Sequence, residues 1–146
     1  MKKSKLRLIV SVVLTAAWLC FIWGNSMLSG TESSQVSGWV GQMIQKIMPF
    51  FHLDTDTGML ILRKMGHFSE FAVLGWLLSW LMGMLDKPWY LSAICGAAAA
   101  SIDETIQLFV PGRHGCVTDV LIDCAGVLTG VALLIALHWL WKRKRG

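Results

Sequence analysis

Charge is what this chain most lacks. Asp, Glu, Lys and Arg make up only 15% of its 146 residues, against about 25% in soluble domains, while hydrophobic residues reach 55% and mean hydropathy is +0.58. Too few charges remain to clothe a water-facing surface, so composition predicts one integral membrane domain over residues 1–146. Cysteine is equally uninformative as a framework. Cys20, Cys95 and Cys124 lie inside apolar runs without C-x-x-C spacing, which excludes a disulfide scaffold or zinc ribbon, and Cys116 alone falls in an expected loop. No A-x-A-like cleavage site follows the first apolar run, so that run is expected to stay as a span. The metalloprotease pattern H-E-x-x-H and the hydrolase elbow G-x-S-x-G are both missing.

The chain does hold four apolar runs near the twenty residues that a span needs. They predict an all-α membrane protein with transmembrane helices at about residues 8–24, 67–85, 88–110 and 119–141. Between the first two, Val36, Trp39, Val40, Met43, Ile44, Ile47 and Met48 recur at helical spacing, which predicts an amphipathic helix in the outer interface. His52, Asp54 and Asp56 are expected in a polar connector. The isoelectric point of 9.0 does not indicate nucleic acid, because the basic residues gather at the two ends, Lys2, Lys3, Lys5 and Arg7 and then residues 142–145. That distribution places both termini in the cytoplasm and the longer loop outside. Trp18, Trp23, Trp76, Trp80 and Trp139 flank apolar runs, as packing and anchoring residues do.

The scarce charges share a level. At 1.5 Å per residue, Glu70 and Asp103 each rise about 22 Å from the cytoplasmic end of their helices and Asp123 about 27 Å. Residues three and four apart are neighbours on a helix, so Arg63, His67 and Glu70 share a face, as do Asp103 and Gln107 with Glu104 beside them, and Asp119 and Asp123 with Gly126 and Gly130. The Gly126-x-x-x-Gly130 pair permits a close helix approach, and its expected partner is the small-residue run 96–101. Pro111 and Gly112 predict a turn that directs Arg113 back towards the acids. Buried carboxylates need partners, and the cluster reads either as an ion-pair network locking the helix ends or as a charged cavity open to the outer leaflet.

Arg63, Lys64 and Arg113 suit a phosphate or carboxylate, and a lipid headgroup is the nearest anion. The expected ligand-binding set is therefore Arg63, Lys64, His67, Glu70, Asp103, Glu104, Gln107, Arg113, Asp119 and Asp123. A metal would draw on His67, Glu70, Asp103, Glu104, Asp119 and Asp123, but neighbouring Arg and Lys oppose a cation, so no metal or other cofactor is expected. Two further readings stay open: a hydrolase or transferase with His67 or Glu104 as base, and a non-catalytic scaffold.

Arg63-Lys64-x-x-His67-Phe68-x-Glu70-Phe71, Asp103-Glu104-x-x-Gln107-x-Phe109-x-Pro111-Gly112-Arg113 and Asp119-x-x-x-Asp123-x-x-Gly126-x-x-x-Gly130 together resemble the VanZ-like membrane proteins. The Ser- and Gln-rich exit at residues 25–37 is similar to theirs, and Asp123 stands where such proteins carry Asn or Asp. The resemblance implies a small multi-spanning bacterial membrane protein, from a family whose founding member is associated with teicoplanin resistance. The expected partner is a membrane lipid or lipid-linked wall precursor, bound outside and influencing glycopeptide susceptibility.

Overall fold

The computed structural model describes residues 2–28, 55–113 and 115–145. Within them the chain forms four helices, α1 (Lys2–Ser26), α2 (Thr55–Met84), α3 (Tyr90–Gln107) and α4 (Val117–Arg143), and no strand. The interfacial helix expected near residues 35–48 lies outside the described residues, as do His52 and Asp54.

Two of the four, Lys5–Ser26 and Val117–Arg143, are long and apolar enough to cross a membrane by length and composition. The expectation of four such helices is thereby narrowed, and the reason is chemical. α2 carries Arg63, Lys64, His67 and Glu70 within its span, and α3, only 18 residues long, devotes its last turns to Asp103, Glu104 and Gln107. α2 also starts at Thr55, well before the expected residue 67, so Asp56 belongs to a helix rather than a connector. α3 stops at Gln107, short of residue 110.

Polarity is inverted relative to a soluble domain. Ile9, Val13, Phe21, Leu121, Leu133 and Trp139 are among many large apolar side chains left exposed, whereas Asp103, Gln107 and Asp123 are 0% exposed. An apolar exterior of this extent matches hydrocarbon rather than water. The small core consists of Ile22, Phe71, Leu74, Leu78, Ala99, Ala100, Val127 and Val131.

In lipid, helices gain little from burying apolar surface and associate through close packing. Here α4 lies directly on α2. A Cβ on Gly126 would strike the Phe68 carbonyl, one on Gly130 the Ala72 carbonyl, and one on Gly75 the Val127 carbonyl. The partner of the Gly126/Gly130 stripe is thus α2 and not the small-residue run of α3. Ala72 and Gly75 let the two backbones meet, and Val127, between the two glycines, reaches sideways against Gly96 of α3. α1 joins through its indoles: Trp18 Nε1 donates to the Glu70 carbonyl at 2.9 Å and Trp23 Nε1 to the Ala99 carbonyl at 3.4 Å.

The turns are chemically specified. Asp86 adopts φ 53°, and the Lys87 N–H reaches back to the Met82 carbonyl at 2.9 Å, closing α2 with a left-handed cap. Gly112 at φ 75° follows Pro111, and the Arg113 N–H donates to the Val110 carbonyl at 3.1 Å. This is the Pro-Gly reversal expected of a type II turn. At the opposite end of the bundle an apolar cleft of about 1020 Å³ opens between α2 and α4, walled by Trp76, Trp80, Trp89 and Trp141. There Arg143 and Arg145 stack over Trp139 and Trp141, with 5.4 Å and 3.8 Å to the ring centroids.

Substituting Gly130→Val is expected to destabilise the detergent-solubilised protein by on the order of 1–3 kcal/mol through overpacking against α2. Gly83→Ala, whose added methyl meets nothing, is expected to be neutral or stabilising by up to about 1 kcal/mol. Thermal melting followed by circular dichroism separates the two.

Candidate functional site

One face of each helix carries the polar residues inward. On α3 the buried stripe runs Ser92, Gly96, Ala99, Ala100, Asp103, Glu104, Gln107, and on α4 it runs Gly130, Val127, Gly126, Asp123 towards the N-terminus. Small side chains at one end of each stripe allow close approach, and the acids continue the same stripe into the contact. Buried carboxylates therefore arise from helical periodicity and tight packing together.

Gln107 is the hub. Its amide nitrogen donates to Asp103 Oδ2 at 3.0 Å and Glu104 Oε1 at 3.2 Å, and its carbonyl oxygen accepts from Arg63 Nη2 at 2.9 Å. One neutral amide thus relays a cation on α2 to two acids on α3. Glu104 Oε2 accepts the Cys116 backbone N–H at 2.8 Å. The loop reaches it because Gly115 lies so close to the Glu104 carbonyl that a side chain there would collide.

α2 meets its two neighbours through different contacts, α4 at Lys64 and α3 at His67. Lys64 Nζ lies 2.5 Å from Asp119 Oδ1, a pair with side chains 34% and 25% exposed. Deeper, His67 Nδ1 stands 3.8 Å from Asp103 Oδ2. His67, Asp103 and Asp123 each present a donor atom, all within 4.8 Å of one another. Asp123 has neither carboxylate oxygen hydrogen-bonded, and Asp103 Oδ1 and His67 Nδ1 are likewise buried without a partner. The Ser26 hydroxyl lies beside Asp103 without hydrogen-bonding geometry.

A cavity of about 230 Å³ opens beside this cluster, lined by Arg63, Lys64 and His67 of α2, Cys116 and Thr118 of the loop and first turn, and Asp119 and Asp123 of α4. The expected residues therefore divide. Arg63, Lys64, His67, Asp119 and Asp123 line the cavity; Asp103, Glu104 and Gln107 sit in the hydrogen-bonded layer linked to it. Glu70 faces α1, where Asn25 Nδ2 donates to its Oε1 at 3.1 Å. Arg113 does not line the cavity but stays within electrostatic reach of Asp103, Glu70 and Glu104. Its Nε donates to the Leu28 carbonyl and its Nη2 to the Asn25 carbonyl, each at 3.2 Å, so a 6% exposed guanidinium caps the end of α1.

Asn25 and Ser26 escaped the sequence reading as site residues. Their signal is a pair of polar residues closing an apolar run, at the start of the Ser- and Gln-rich exit, and neither assigns them a role at the site. Cys116 is exposed, and its Sγ lies 3.0 Å from Thr118 Oγ1. Hydrogen bonding from Thr118, through hydroxyl and backbone N–H, holds this thiol below its ordinary pKa.

Comparison with known proteins adds independent information. The sequence model described as VanZ/LLP1 matches residues 11–140. A Bacillus subtilis (strain 168) protein described as uncharacterized membrane protein YwnJ is 32% identical over 140 residues, covering 91% of this chain and 93% of the relative. No solved structure matches.

Arg113→Ala takes its donor from the Leu28 carbonyl and one of two donors from the Asn25 carbonyl, and is expected to cost about 1–3 kcal/mol. Lys64→Ala removes a partly exposed pair and is expected to cost under about 1 kcal/mol; chemical denaturation in detergent measures both. In a background lacking the other cysteines, Thr118→Ala is expected to shift the pH profile of maleimide labelling at Cys116 to higher pH. A raised thiol pKa leaves less thiolate at any given pH, so labelling at neutral pH slows.

Proposed function

The chain is a membrane protein of the VanZ/LLP1 family, and from that premise we propose that it binds the anionic or zwitterionic headgroup of an envelope lipid or lipid-linked wall precursor at the outer rim of the bilayer. All four helices cross the membrane on this reading, with α2 and α3 carrying their polar ends into the protein interior. The basic segments near both termini lie at the end of the bundle opposite the cavity, since Asn25 at the end of α1 meets Glu70 while Arg143 closes α4. The positive-inside rule then directs the cavity outward.

The carrying observation is the cavity itself. Its volume of about 230 Å³ is that of roughly eight waters at about 30 Å³ each, the scale of a phosphate with a short polar substituent. Arg63 engages Gln107 through Nη2, and Lys64 stands at the mouth with Asp119. A phosphate entering between them gains charge-assisted hydrogen bonds, and Asp119 released from Lys64 offers a counterpart to a headgroup amine. Occupation would alter how the outer surface presents glycopeptide targets, which links the site to teicoplanin susceptibility.

Among enzymatic alternatives, Glu104 makes a poor free base because both its oxygens already accept hydrogen bonds. His67 is the group left for that role. His67→Gln tested with labelled envelope lipid distinguishes turnover from binding: turnover in the parent chain that this change abolishes, with binding kept, replaces the binding reading by an enzymatic one.

Native mass spectrometry of the detergent-released protein, titrated with phosphatidylglycerol, phosphatidylethanolamine or undecaprenyl pyrophosphate, is expected to show one retained molecule. The double variant Arg63→Ala/Lys64→Ala is expected to weaken retention at least about tenfold, as loss of a charged hydrogen bond does. Arg113→Ala, outside the cavity, is expected to lower stability and leave retention unchanged. Equal retention by the parent and the double variant would refute the assignment.

A further inference from the structure

We propose that His67, Asp103 and Asp123 form a binding site for one divalent first-row transition metal ion, of which Zn²⁺ is the representative, at the floor of the cavity. This inference does not depend on the headgroup reading.

Three observations converge on it. The donors come from three separate helices, α2, α3 and α4, yet their atoms lie within 4.8 Å of one another. Asp103 and Asp123 are 0% exposed, and both oxygens of Asp123, one of Asp103 and Nδ1 of His67 have no hydrogen-bond partner. Buried polar atoms in folded proteins are paired almost without exception, so three clustered donor residues that each keep an unpartnered buried atom are suited to share an electrophile. Finally, the layer holds the carboxylates Glu70, Asp103, Glu104, Asp119 and Asp123 against the cations Arg63, Lys64 and Arg113. Fully ionised, it carries an excess of two negative charges, which one divalent ion neutralises.

The basic residues that argued against a metal at the level of sequence each have an oxygen partner outside the three donors. Arg63 is held by Gln107, Lys64 by Asp119, and Arg113 by the carbonyls of α1.

One imidazole nitrogen and two carboxylates form a borderline donor set that suits Zn²⁺ as well as Mn²⁺ or Fe²⁺. Ligands at about 2.1 Å from a tetrahedral ion stand about 3.4 Å apart, so the side chains close by roughly an ångström on binding. Gln107, which donates to Asp103 Oδ2, supplies the outer hydrogen bond that orients a ligating carboxylate. His67 and Asp123 line the cavity, so the ion's fourth position faces it and is open to water or an anionic oxygen.

The test uses the full-length chain without an affinity tag containing histidine, released in detergent, stripped with chelator and dialysed against Zn²⁺. Metal analysis is expected to give one Zn²⁺ per chain, with affinity falling at least about tenfold in Asp123→Asn and His67→Gln, the scale on which ligand-sphere changes weaken metal sites. Gly83→Ala, at the opposite end of the bundle, is expected to retain the ion. Because a variant can lose its fold, Co²⁺ is also added to the unmodified chain, where visible d–d absorption reports nitrogen and oxygen coordination directly. Folded parent protein that binds no stoichiometric Zn²⁺ and gives no Co²⁺ band would overturn the proposal, as would equal binding by the parent and both folded variants. Lipid retention measured in chelator on the same preparation tests the headgroup reading separately, so either can fail while the other stands.

Discussion

The approach of α4 to α2 is closer than side chains permit, and this governs the rest of the molecule. Gly126, Gly130 and Gly75 leave backbone against backbone at Phe68, Ala72 and Val127. With the axes so near, residues one turn beyond the glycines are brought together at the wall of the cavity. His67 and Asp123 are those residues, and they meet for that reason. α3 adds its own acids by laying Gly96 against Val127. The polar centre is thus a geometric result of apolar packing below it, and a bulkier stripe would hold the same acids apart.

Around that contact the polar groups follow two regimes. Glu104, Gln107 and Arg63 form a satisfied chain in which each buried group has a partner. Such networks lock side chains into one arrangement. Asp123 and the facing atoms of Asp103 and His67 remain unmatched, and an uncompensated buried charge is among the most expensive features a membrane protein can retain. The satisfied layer supplies the rigidity that keeps the unmatched one in register. α1 contributes to both, since Asn25 anchors Glu70 while its carbonyl receives Arg113.

Much of this was legible in the residue order, and the failures have physical causes. Period and hydropathy located four helices because apolar runs of helical length have few alternatives, and counting rise per residue brought the acids to one level. The early start of α2 was missed because Thr55 to Met65 mixes Asp, Arg and Lys with Met, Leu and Ile, so hydropathy falls although the helix continues. Small residues reveal that a close contact exists but not which helix makes it, hence the assignment of Gly126 and Gly130 to α3 instead of α2. The indole donors Trp18 and Trp23 read as anchors and in fact brace α1 against its neighbours. The cavity-lining set was largely visible, since helical spacing aligns Arg63 with His67 and Asp119 with Asp123.

The brevity of α3 has a consequence beyond the protein. Its 18 residues measure about 27 Å, and the apolar part, ending before Asp103, is nearer 20 Å on the same rise. A hydrocarbon slab of about 30 Å cannot match so short a segment without cost. On the four-span reading, the leaflet beside Asp103 must dimple inwards, its headgroups sinking to meet the acids. Short or disordered acyl chains reduce that deformation, so bilayer thickness itself becomes a variable that controls how easily the chamber is reached from the side.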